Sequence, residues 1–102
     1  MLHVIAVIKA KPGKRQEILS HMLANVPTVR AEDGCIEYVP AIDLDYPGIP
    51  NSFGPDTFLV IEKWSGPDAL KAHAAAPHMT QYAAKTADLI EERLVYVLNP
   101  LI

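Results

Sequence analysis

The 102-residue chain has one cysteine, one tryptophan, two phenylalanines and only nine Lys and Arg residues. With a single thiol, Cys35, it can form neither an internal disulfide nor a CxxC redox or zinc pair. Between Gly34 and Ile36 that cysteine reads as a small buried hydrophobe. The few basic residues are scattered, the net charge is −3, and no Lys/Arg stripe interleaves with aromatics. Nothing here recruits a phosphate backbone, so nucleic acid is excluded as a partner. No apolar run approaches the roughly 20 residues of a membrane span, and the N-terminus lacks the charged, apolar, small-residue order of a signal segment. The expectation is a soluble, cytoplasmic protein without a membrane partner.

What is present favours a folded core. Half of the residues are hydrophobic and 21% are charged, a balance that argues against disorder despite nine prolines. The length suits one domain over residues 1–102, hiding about two-thirds of its unfolded surface. Any large apolar face left over has to find a partner.

Leu2 to Ala10 alternates as a strand with apolar residues on both faces, and His3 reads as a hydrogen-bonded strand residue. Pro12-Gly13 closes it. Lys14 to Ala31 follows with Ile18, Leu19, Met22, Leu23, Val26 and Val29 at helical spacing, and Pro27 is expected to kink or break this helix. His21 lies off the stripe, toward solvent. Gly34 ends the element, and Cys35 to Asp43 is a second strand whose Pro40 marks an edge or bulge. Asp45 to Pro55 is a Pro- and Gly-rich loop, long enough for a lid or a subunit contact, anchored by Tyr46 and Phe53.

Thr57 to Trp64 is the third strand, and Ser65-x-x-Asp68 has capping-box spacing for a helix over Pro67 to Ala74. Ala75-Ala76-Pro77 interrupts it. A longer helix then runs from His78 to Ile90 with Met79, Tyr82, Ala83, Thr86, Leu89 and Ile90 inward, and Glu92 to Leu98 is the fourth strand. The order is therefore α+β, a ferredoxin-like β-α-β-β-α-β arrangement with a split second helix. Helices cover one face of its sheet, yet the strands are apolar on both. A second copy laying its own sheet against the first is the simplest cover, so a homodimer is predicted.

The run from the third strand into the split helix brings Trp64, His73, His78 and Tyr82 toward one pocket. Gly34-Cys35-Ile36-Glu37-Tyr38, Glu62-Lys63-Trp64-Ser65, Ala69-Leu70-x-x-His73 and Pro77-His78-Met79 together resemble the antibiotic biosynthesis monooxygenase (ABM) family, quinol monooxygenases included. The resemblance spans nearly the whole chain. It implies a dimeric α/β barrel and oxygenation of a small aromatic (a quinol, anthrone or phenol) by O₂ without metal, flavin or haem.

Such chemistry needs an apolar cavity, a base that works near neutral pH and a donor facing the developing oxyanion. His73 and His78 are the candidates for base and donor, in either order. Trp64 offers a flat wall and an indole N–H. Tyr82, one turn after His78, could hydrogen-bond the substrate oxygen, and Phe58 and Tyr38 could line the pocket. Each residue also has a plainer reading: Trp64 and Tyr82 as core, His73 as a helix C-terminal residue, His78 as a helix start, Glu62 as a structural partner. Asn25, Asn51 and Asn99 all fall outside the predicted strands, whereas anthrone-oxidising and haem-degrading relatives place an asparagine on a pocket strand. That difference favours a quinol-type substrate or an unassigned aromatic. A haem-binding protein and a non-catalytic binding or regulatory module are the other readings. No acidic third ligand stands at a recognised metal spacing from His73 and His78.

Overall fold

The computed structural model describes residues 1–102. Four strands, β1 (Leu2–Ala10), β2 (Cys35–Ala41), β3 (Thr57–Trp64) and β4 (Ile90–Leu98), form one sheet of order β2-β3-β1-β4. Every neighbouring pair is antiparallel. The helices are α1 (Arg15–Arg30), α2 (Pro67–Ala75) and α3 (Pro77–Thr86), the last followed by a 3₁₀ turn at Ala87–Leu89. This is the ferredoxin-like α+β order with its second helix split.

Strand alternation divides the sheet into two unlike faces. Leu2, Val4, Ala6 and Ile8 of β1 and Phe58, Val60 and Trp64 of β3 are buried with Ile18, Leu19, Met22, Val26 and Val29 of α1. The opposite face stays open: Ile5 pairs with Ile61 and Tyr96, and Ile61, Leu94, Tyr96 and Leu98 are all exposed. His3 falls on this open face, paired with Lys63 and Leu98, away from the helices.

Several local expectations are corrected. Helix α1 runs through Pro27 to Arg30 without a break. The carbonyl that loses its donor belongs to Leu23, which is 57% exposed and so can turn to water. Ser65 is not an N-cap: that position is Gly66, with no side-chain capping bond, and the Ser65 amide donates to the Gly34 carbonyl at 2.8 Å. The split falls at Ala76, held extended (φ −65°, ψ 137°) ahead of Pro77, which opens α3 one residue before His78. α3 closes at Thr86 rather than at Ile90, with Ala83 exposed and Ile90 already in β4. β2 ends at Ala41, and the Asp43 carboxylate beyond it gathers the amides of Phe53 (3.0 Å) and Gly54 (2.9 Å), closing the base of the long loop.

Gly34 sets the distance between the α1–β2 turn and α2. Its φ is +81°, and a Cβ there would lie 2.5 Å from Ser65 Oγ and 2.6 Å from Ala69 Cβ. Gly34→Ala is therefore expected to lower stability by roughly 2–4 kcal/mol, combining left-handed strain with overpacking. Urea denaturation of the two proteins measures it.

Candidate functional site

Between the sheet and α2/α3, on the β1–β4 side, lies a cavity of about 690 Å³. Val4, Ala6 and Val95 floor it, and Leu70, Met79 and Ile90 contribute apolar wall. Arg93 and Val95 of β4 remain exposed, so the cavity is open along that edge strand. Only a few polar groups reach it: Glu62, His73, Tyr82, Thr86 and Arg93.

Glu62 pairs across the sheet with Val4 and Tyr38, which turns its carboxylate toward the helix side. It is buried, and its Oε1 accepts the Trp64 indole N–H at 2.9 Å. Burial pushes the Glu62 carboxyl up from its ordinary range, opposed by the Trp64 hydrogen bond and by the nearby His73 and Arg93. His73 projects from the last turn of α2 over the Trp64 ring, centroids 4.6 Å apart, with the Tyr38 ring edge-on at 5.6 Å. Its Nδ1 lies 2.7 Å from Glu32 Oε2.

The same Glu32 oxygen stands 3.4 Å from His78 Nε2, while His78 Nδ1 meets Asn25 Nδ2 at 3.2 Å. His78 faces a separate, shallower dent that it shares with His21, Asn25 and Lys85. Tyr82 touches both hollows, and burial pushes its phenol up to about 12, keeping the hydroxyl protonated at neutral pH.

The expected site residues thus separate into three groups, with His78 apart on the shallower dent. His73 and Tyr82 line the cavity. Trp64, Phe58 and Tyr38 are core residues behind it: Trp64 is fully enclosed, its N–H taken by Glu62, so it backs His73 instead of walling the cavity. The Tyr38 hydroxyl meets Met22 Sδ at 3.7 Å, and burial raises its phenol far above the ordinary value. His21, expected in solvent, is half-buried beside His78. Glu32 and Arg93 were not singled out from the sequence, and Asn25 drew notice only for lying outside the predicted strands. Only the Glu-Asp-Gly turn around Glu32 offered a local signal, and Asn25 reads as an ordinary helix residue. No group of three or more His, Cys, Asp or Glu side chains is placed to hold a metal ion.

Because Glu62 binds its proton more tightly folded than unfolded, its stabilising effect is present at low pH and is lost as pH rises from about 4.5 through its raised folded value. Glu62→Gln keeps an acceptor for Trp64 but cannot ionise. Its stability relative to the parent should rise between pH 4 and pH 7, measured by thermal melts across that range.

The chain resembles proteins that have been described before. The family model for antibiotic biosynthesis monooxygenase matches residues 1–85. A protein of Escherichia coli K12 named "Probable quinol monooxygenase YgiN" is 36% identical over 102 residues, covering 98% of each chain. The Bacillus subtilis protein YcnE, also named as a monooxygenase, is 35% identical over 102 residues, covering 99% of this chain and 98% of its own. Among solved structures, PA3566 from Pseudomonas aeruginosa superposes with a TM-score of 0.82 at 27% identity, over 99% of this chain and 94% of that one. A Nitrosomonas europaea protein that is 18% identical shares the fold over the full length of both chains, with a TM-score of 0.84. On the match over residues 1–85 and these full-length relatives, the chain belongs to the antibiotic biosynthesis monooxygenase family.

Proposed function

We propose that this chain is a cofactor-independent monooxygenase of a small electron-rich aromatic, of quinol, anthrone or phenol type, acting as a cytoplasmic homodimer. The observation that carries this reading is the largely apolar cavity of about 690 Å³ lined by His73, whose ring is hydrogen-bonded to Glu32 through Nδ1 and so keeps Nε2 for a substrate. That volume falls within the roughly 300–1,000 Å³ of small-molecule sites. The relative named as a quinol monooxygenase supports the substrate class.

For a hydroquinone, His73 Nε2 takes a phenolic proton and the anion transfers an electron to O₂. The radical pair combines at a ring carbon bearing hydrogen, and the hydroperoxide loses water. Four electrons leave the ring and reduce O₂. One oxygen stays on the carbon of the hydroxyquinone, and the other leaves as water with two of the three hydrogens first held by the two hydroxyls and that carbon. The Tyr82 hydroxyl, protonated at neutral pH, donates to the substrate oxygen as charge develops. Glu62 accepts from a substrate hydroxyl. The apolar floor gives water no hydrogen-bonding partner beneath the ring and so limits its competition for these contacts.

The second copy covers the open sheet face, where Ile61, Leu94, Tyr96 and Leu98 are exposed together. Sedimentation should give a dimer, and Tyr96→Glu should give a monomer; a monomeric parent contradicts the assembly.

Purified, metal-free protein in air should accelerate O₂ uptake by a quinol, and His73→Ala should slow it at least ~100-fold. An oxygen electrode measures both. A panel of quinols and phenols that bind without turnover would leave a binding module in place of the enzyme.

A further inference from the structure

Two imidazoles lie near the cavity, and their hydrogen bonds divide the work between them. The Asn25 amide nitrogen contacts His78 Nδ1 at 3.2 Å and Met79 Sδ at 3.5 Å. A thioether sulfur can only accept, so the group facing both atoms is the NH₂ and it donates to each. His78 Nδ1 is therefore an acceptor, and the neutral ring carries its proton on Nε2. That nitrogen is buried, has no hydrogen-bond partner of good geometry, and lies 3.4 Å from Glu32 Oε2. With Nδ1 accepting from Asn25 and Nε2 carrying the proton, neither nitrogen of His78 offers a lone pair to a substrate.

His73 is arranged the other way round. A carboxylate can only accept, so the 2.7 Å contact has His73 Nδ1–H donating to Glu32 Oε2. The neutral ring then bears its lone pair on Nε2, the nitrogen that the Glu32 contact leaves free. Glu32 belongs to the turn after α1, and its side chain is only 15% exposed, which keeps water from loosening the contact.

We infer that Glu32 is the positioning residue of the site: its carboxylate fixes the tautomer and orientation of His73 so that Nε2 is the base, and His78, held by Asn25, steadies Glu32. This deepens the monooxygenase reading and rests on it. The carboxylate stabilises the imidazolium that forms when the substrate proton arrives, without taking part in the redox steps.

The test is ¹⁵N NMR of histidine side chains in the full chain, free of substrate, joined to turnover of a quinol. The parent should show His73 as the Nδ1–H tautomer and His78 as the Nε2–H tautomer. In Glu32→Gln and Glu32→Ala, both checked for folding by circular dichroism, His73 should become a mixture of tautomers. kcat should fall at least ~100-fold with KM changed little. Acetate added to Glu32→Ala should restore both the His73 signal and part of kcat, at least tenfold, which a purely structural role would not allow. His73 tautomers unaltered in the folded variants, or His78 found as the Nδ1–H form, overturn the assignment whether or not quinols turn over. A parent without turnover but with the stated tautomers overturns the monooxygenase reading and, with it, the catalytic purpose of Glu32. Normal turnover in the Glu32 variants overturns the positioning role alone.

Discussion

One carboxylate oxygen, Glu32 Oε2, lies within 2.7 Å of one imidazole and 3.4 Å of another, and much of the local architecture keeps it there. Gly34 lets the turn that carries Glu32 approach Ser65 and Ala69 more closely than a side chain permits. Ala76, extended ahead of Pro77, divides what would be one helix into two, so that His73 and His78 meet the same acid from separate helices. An uninterrupted helix places residues five apart about 140° around its axis, with no shared partner between them. The break is thus part of the site.

Beneath this cluster a second acid is held under different terms. Glu62 is buried on the sheet with one oxygen bonded to the Trp64 indole, and desolvation raises its carboxyl. Trp64 in turn supports the His73 ring from behind. The two acids are thus differently disposed around one imidazole: Glu32 hydrogen-bonds Nδ1, while Glu62 stands on the cavity wall. Across the cavity, β4 pairs with β1 but receives no helical cover, leaving apolar side chains on both its faces exposed. In the proposed dimer the second sheet shields the far face of this strand.

The fold was legible in the sequence because its signals are local and repetitive. Alternation in β1 and β3, the α1 stripe and the Pro77 break each appear within a few residues, and their order specifies the sheet. Pro27 and Ser65 were misleading for equally local reasons. The helix tolerates Pro27 because the freed carbonyl of Leu23 lies on the solvent side, and the Ser65 amide is taken by Gly34, a contact set by tertiary packing. The site was only half legible. His73 and Tyr82 stood out by residue type, and they do line the cavity. Trp64 stood out too, but residue type cannot say whether a tryptophan walls a cavity or backs the residue that does. Glu32 and Asn25 lie 41 and 53 positions from the histidines they bind, and no spacing rule connects them.

The central claim, that an aromatic held beside His73 Nε2 reacts with O₂ directly, is tested most directly by isotope incorporation. Metal-free protein is given a quinol under ¹⁸O₂, and the product is weighed by mass spectrometry. The account predicts one ¹⁸O atom in each hydroxyquinone and one O₂ consumed per product. A plain quinone without label, or product oxygen drawn from water, would contradict it.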